Sequence, residues 1–112
     1  MKQALLDTNF ILTCVKQKID FFEEFYLNGI EPIIPKEVIA ELKKLRKESA
    51  LKLLEKSIFQ IISLSGKNVD NAIVNFAKKN PEIIIATMDK DMRRKIKNPK
   101  MGIRNKKKLE II

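Results

Sequence analysis

The 112-residue chain has no histidine and no tryptophan, and it has one tyrosine, one cysteine and three glycines. Without histidine, the commonest general base and the commonest zinc ligand are both missing. The single cysteine, Cys14, excludes an internal disulfide and reads as a packed small hydrophobe rather than a reactive thiol. Long apolar runs are missing too. None approaches the roughly 18 residues that cross a bilayer. The opening MKQALLD, a short apolar run broken by an acid, does not read as a signal peptide. With 45% hydrophobic and 33% charged residues, the expectation is one globular, cytoplasmic domain over residues 1–112, with no membrane association. No repeat, low-complexity tract or linker divides it.

The positive charge is unevenly spread. The formal net charge is +9, yet residues 1–89 hold 13 Lys/Arg against 12 Asp/Glu, while residues 90–112 hold 10 against 2. This basic C-terminal segment favours a polyanion such as nucleic acid; the plainer reading is a solvated lysine-rich face.

Turn signals at Asn28-Gly29, Pro32, Pro35, Ser65-Gly66, Asn80-Pro81, Asn98-Pro99 and Gly102 separate segments that alternate in period. Strands are expected at 3–6, 33–34, 60–64 and 82–86. Helices are expected at 8–17, 21–27, 35–47 (with Pro35 in the first turn), 50–56, 69–79 and 89–97. The tail from Gly102 to Ile112 is expected to form one or two edge strands. The aromatics Phe21, Phe22, Phe25 and Tyr26 recur at helical spacing, which suits core residues. The β-α-β-α order and the nearly all-apolar strands predict an α/β fold, a three-layer α/β/α sandwich around a mostly parallel, Rossmann-like sheet.

In such a sheet, ligands bind beyond the carboxyl ends of the strands. Asp7 follows the first strand directly and Asp89 follows the fourth by three residues. Glu41 lies in the second turn of the helix after 33–34, and Asp70 in the first turn of the helix after 60–64. Each has a structural explanation. Asp7 is placed to cap a helix, Asp70 complements a helix dipole, Glu41 is three residues from Lys44, and Asp91 suits a helix start. Together they point elsewhere. Two carboxylates ~4 Å apart repel by about 4 kcal/mol at an effective dielectric near 20, so four converging acids call for a cation. Oxygen ligands suit Mg²⁺ or Mn²⁺.

The segments LLDTNFIL (5–12), PKEVIAELKKL (35–45), VDNAIVNFA (69–77) and ATMDKDMRRK (86–95) together resemble a PIN domain over essentially the whole chain. The first and last are most similar to archaeal and ribosomal-RNA-processing members. The resemblance implies Asp7, Glu41, Asp70 and Asp89 as the catalytic and metal-binding acids, holding one or two Mg²⁺ or Mn²⁺ ions, with Asp91 auxiliary. It implies that Thr8 and Asn9 position Asp7 or the substrate, and that Thr87 orients Asp89. Cleavage of single-stranded RNA follows, precursor ribosomal RNA being one substrate. Arg93, Arg94, Lys95 and Lys97 are expected to track the RNA backbone, with Lys106, Lys107 and Lys108 extending that path. Three rivals share features with this reading: a toxin ribonuclease held by an antitoxin, a non-catalytic RNA-binding scaffold, and a phospho-acceptor receiver domain. A homodimer or another protein partner is compatible with all of them.

Overall fold

The computed structural model describes residues 2–112. In chain order the elements are β1 (Lys2–Leu6), α1 (Thr8–Lys16), α2 (Phe21–Leu27), β2 (Ile30–Pro35), α3 (Lys36–Lys44), α4 (Glu48–Glu55), β3 (Gln60–Ile62), α5 (Val69–Lys79), β4 (Ile84–Ala86), α6 (Lys90–Lys95), β5 (Lys100–Arg104) and β6 (Lys108–Ile111). The strands form one sheet in the order β3-β2-β1-β4-β5-β6, parallel throughout except for the antiparallel β6. This is the Rossmann-like, mostly parallel sheet expected from the sequence. Strand order runs outward from β1 on one side and from β4 on the other, so the switch point lies between these two strands. A receiver domain of the flavodoxin-like type has the order 2-1-3-4-5, and the observed order excludes it.

Alternating strand residues divide the core into two layers. Leu6, Ile34 and Ala86 face Phe10 and Cys14 of α1, Phe21 and Phe25 of α2, and Val38 and Leu42 of α3. Leu5, Ile33 and Ile85 face Ile73 and Ala77 of α5 and Met92 of α6. Phe21 joins Phe10 and Phe25 in edge-on contacts, each with centroids 6.1 Å apart. Tyr26 departs from the aromatic-core expectation: it is exposed at the surface, on the outer side of α2.

Other departures have local causes. The segment around Ile33-Ile34 is a six-residue strand that includes both prolines. Pro35 ends it and caps α3 instead of opening that helix. Pro32 lies in the stretch of β2 that β3 does not cover, where a missing N–H on that side breaks no ladder bond. Helix α3 stops at Lys44, not Lys47, because Arg46 adopts φ 55°. The Arg46 N–H then donates to the Lys43 carbonyl, and the Lys47 N–H to that of Leu42. This is a Schellman turn with arginine where glycine is usual, so the sequence carries no warning of it. β3 has only three residues and lies at the sheet edge with Ile61 exposed, so the expectation of strands covered on both faces fails there. The tail supplies two strands, but only β6 is an edge. Gly102 is central in β5 and is not a turn.

Gly66, in the loop between β3 and α5, lies against α5. A Cβ there would come within 2.8 Å of the Ala72 backbone N and Cα. Gly66→Ala therefore displaces the start of α5, and urea unfolding should show a loss of about 1–3 kcal/mol; a midpoint equal to the parent's would refute the close packing.

Candidate active site

Asp7 follows β1 at the switch point. Its backbone N–H donates to the Ala86 carbonyl at the end of β4, 3.1 Å away. Its side chain caps α1, with Oδ1 accepting the Phe10 N–H at 2.8 Å. Oδ2 accepts the hydroxyl of Thr87, a fully buried side chain. The capping explanation is thus correct for Asp7, and it uses only part of the carboxylate.

Thr87 does more than orient Asp89. Its Oγ1 donates to Asp7 and accepts the Asp89 N–H at 3.1 Å, which ties the two acids together. Asp89 in turn caps α6, its Oδ1 accepting the N–H groups of Asp91 and Met92. Arg93 then reaches back over this loop, donating from Nε and Nη2 to the Thr87 carbonyl at 3.0 and 2.7 Å. Its guanidinium lies against Gly102, where a Cβ would meet Nη2 at 2.5 Å. Arg93 was expected to contact RNA, but much of its donor fork is turned inward to hold this loop.

Asp7, Thr8, Asn9, Glu41 and Asp70 line one cleft of about 170 Å³. Asp89 opens instead onto a neighbouring hollow with Leu12, Thr13 and Met88, and Asn9 borders both. Asp70 is exposed and Glu41 half-buried. Among the described residues neither carboxylate has a hydrogen-bond or ion-pair partner, and the Glu41–Lys44 pair does not form. Asp91 is exposed and pairs with Arg94 at 3.4 Å, a surface pair of little energetic weight. Arg94, Lys95, Lys97, Lys106, Lys107 and Lys108 are exposed.

Glu37, one turn before Glu41, was not anticipated as a site element. Its Oε1 accepts the Leu64 N–H at 3.1 Å, so α3 holds the loop leading to Asp70. Its only signal in the sequence is its place one turn before Glu41. Cys14 is buried as expected, and burial pushes its thiol up to about 12.

Burial also raises the Asp7 carboxyl from 3.8 to about 6, opposed by the Thr87 and Phe10 hydrogen bonds and reinforced by the charges of Asp70 and Asp89. A divalent cation would relieve this cost. In the same cleft the buried Thr8 Oγ1 has no partner among the described residues, an unmet need that a bound water or ligand oxygen satisfies. The donor set is entirely oxygen. Among the described residues no three Asp, Glu or Cys side chains stand close enough to hold one ion as they lie, and a Mg²⁺ ion, which usually keeps several waters, would need only one or two of the carboxylates.

The family profile described as a PIN like domain matches residues 4–105. The chain belongs to the PIN-like domain family. It is 32% identical over 127 aligned positions to "Ribonuclease VapC4" of Methanocaldococcus jannaschii, covering 99% of this chain and 97% of that one. It is 34% identical over 102 positions to the "rRNA-processing protein fcf1" of Schizosaccharomyces pombe, covering 84% of this chain but only 53% of the yeast protein. Among solved structures, "Structure of the PIN domain endonuclease Utp24" superposes with a TM-score of 0.82 at 30% identity, over 97% of this chain and 90% of that one.

The PIN-like fold thus carries a destabilising charge at its switch point. Because the folded carboxyl titrates near 6 and the unfolded one near 3.8, the folded state binds the proton more tightly. The parent loses stability as pH rises from about 4 to about 6, on the order of 2–3 kcal/mol. Asp7→Asn removes that cost but also one acceptor for Thr87, worth about 1 kcal/mol. In metal-free buffer at pH 7.5 the variant should melt above the parent, with the gain gone near pH 4. A gain of equal size at both pH values would show that burial of charge is not its source.

Proposed function

We propose that this PIN-like chain is an endoribonuclease dependent on Mg²⁺ or Mn²⁺, with Asp7 and Asp89 as the central acids and Glu41 and Asp70 completing the set. The observation that carries the reading is the buried Asp7 carboxylate, tied through Thr87 to Asp89 at the switch point. The relatives named as ribonuclease and endonuclease support the reaction class. A bound divalent cation supplies Lewis acidity and activates water for attack on a phosphodiester. The protein's own contribution is positional. Asp7 presents a carboxylate whose second oxygen is oriented by Thr87, Arg93 keeps that loop in place, and Thr8 and Asn9 border the space where a phosphate lies. Asp91 is an outlying acid that assists only if its pair with Arg94 opens.

The substrate we infer is single-stranded RNA, with precursor ribosomal RNA as the natural case, supported by the relative named as an rRNA-processing protein. β5 runs parallel to β4, so the β5–β6 turn extends beyond the same end of the sheet as Asp7 and Asp89. That turn bears Lys106 and Lys107, and Lys108 begins β6. With Arg94, Lys95 and Lys97 they offer phosphate contacts that give affinity and salt dependence but little sequence choice. No aromatic side chain lines the acidic cleft or the hollow beside Asp89. Among the described residues no helix is long and apolar enough to cross a membrane.

A second setting keeps the same chemistry: a toxin ribonuclease restrained by an antitoxin. It is favoured by the near end-to-end match to VapC4. Expression of the chain in a foreign cell separates the two settings, since growth arrest that requires Asp7 marks the toxin.

The direct test is cleavage of a mixed single-stranded RNA in Mn²⁺, Mg²⁺ or EDTA. Products should form with either metal, vanish in EDTA, and fall at least about 100-fold in Asp7→Ala and Asp89→Ala while RNA binding persists. Cleavage by Asp7→Ala at the parent's rate would sink the assignment.

A further inference from the structure

Three hollows adjoin one another along α1. The acidic cleft shares Asn9 with the hollow beside Asp89. That hollow shares Leu12 and Lys16 with a third, of about 530 Å³, which reaches Arg46 and Lys47 in the turn between α3 and α4. Asn9, Leu12, Thr13 and Lys16 recur at helical spacing, so a single stripe of α1 floors the run. Its length from Asn9 to Lys16 is ~10 Å.

The chemistry changes along the trough. Its beginning is acidic, its floor is apolar at Leu12 and Met88, and its far end carries Lys16, Arg46 and Lys47 against the one carboxylate of Glu48. None of the three cations has an ion-pair partner among the described residues. The C-terminal cations lie elsewhere, beyond β4 and β5, on the opposite side of β1 from α3 and its turn. An apolar floor with a cationic rim that starts at a phosphodiester-cleaving cleft fits an extended polyanion with flat apolar faces.

We propose that the RNA strand on one side of the cleaved bond lies in this trough, its bases over Leu12 and Met88 and its phosphates at Lys16, Arg46 and Lys47. The proposal rests on the ribonuclease reading and adds a binding path that the basic C-terminal segment does not supply. It also gives a reason for the conformation of Arg46. Glycine suits that left-handed position better, and arginine there brings a cation to the end of the trough.

The test measures binding of a short labelled single-stranded RNA in EDTA, so that nothing is cut. Arg46→Gly/Lys47→Gln should weaken binding about tenfold and lower the salt slope by about 1–2. Its melting temperature should stay at or above the parent's, because glycine fits φ 55° at position 46. The charge-matched control Lys78→Gln/Lys79→Gln, at the far end of α5, should bind within about twofold of the parent. Parent-like affinity in the 46/47 variant overturns the proposal, and so does equal weakening in both pairs. If metal-dependent cleavage by the parent stands while the 46/47 variant binds normally, only the trough falls; if the parent binds no RNA in EDTA the trough falls too, and the ribonuclease reading falls only if the parent also fails to cleave RNA with Mg²⁺ or Mn²⁺.

Discussion

The hydrogen bond between the Thr87 hydroxyl and the Asp7 carboxylate links the two halves of the sheet exactly where a ligand would sit between them. It crosses the switch point, from the residue after β1 to the residue after β4. Asp7 is at once a helix cap, a buried charge and the partner of Thr87. Thr87 is at once the donor to Asp7 and the acceptor for the Asp89 N–H. Displacing either side chain changes the start of α1, the start of α6 and the spacing of two acids together.

A carboxylate buried against its own interest carries a free-energy cost that a bound cation would relieve. Proteins accept such costs at working sites when the surroundings over-determine the geometry. Here the surroundings are identifiable. Arg93 holds the Thr87 carbonyl, Gly102 leaves room for Arg93, and Glu37 holds the loop that leads to Asp70. None of these three residues need touch a substrate, yet each sets where an acid lies.

Much of the fold was readable from residue pattern. The nearly all-apolar strands alternating with helical segments, and the cap at Asp7, gave element types and the sheet class, and helices at 21–27 and 69–79 match their observed bounds. Sheet polarity brought Asp7, Glu41, Asp70 and Asp89 to one end without any motif. What could not be read depended on tertiary space. Arg93 looks like its exposed neighbours Arg94 and Lys95, and only Gly102, nine residues later and one strand over, makes room for it. The turn at Arg46 lacks the glycine that signals a helix stop. The exposure of β3 follows from its place in the strand order, which local composition does not encode.

The short edge strand β3 gives the sheet unequal ends. It is three residues long and pairs only with β2, whereas β1 and β4 are bracketed on both sides. Local opening begins where few apolar groups are buried and few ladder bonds must break, so hydrogen exchange should reach the β3 flank before the centre. Asp70 is reached through the loop that leaves this strand, while Asp7 and Asp89 are anchored beside the central ones. The acids therefore differ in mechanical footing: a rigid pair fixed by the core, and a third whose position follows the part of the molecule that breathes first.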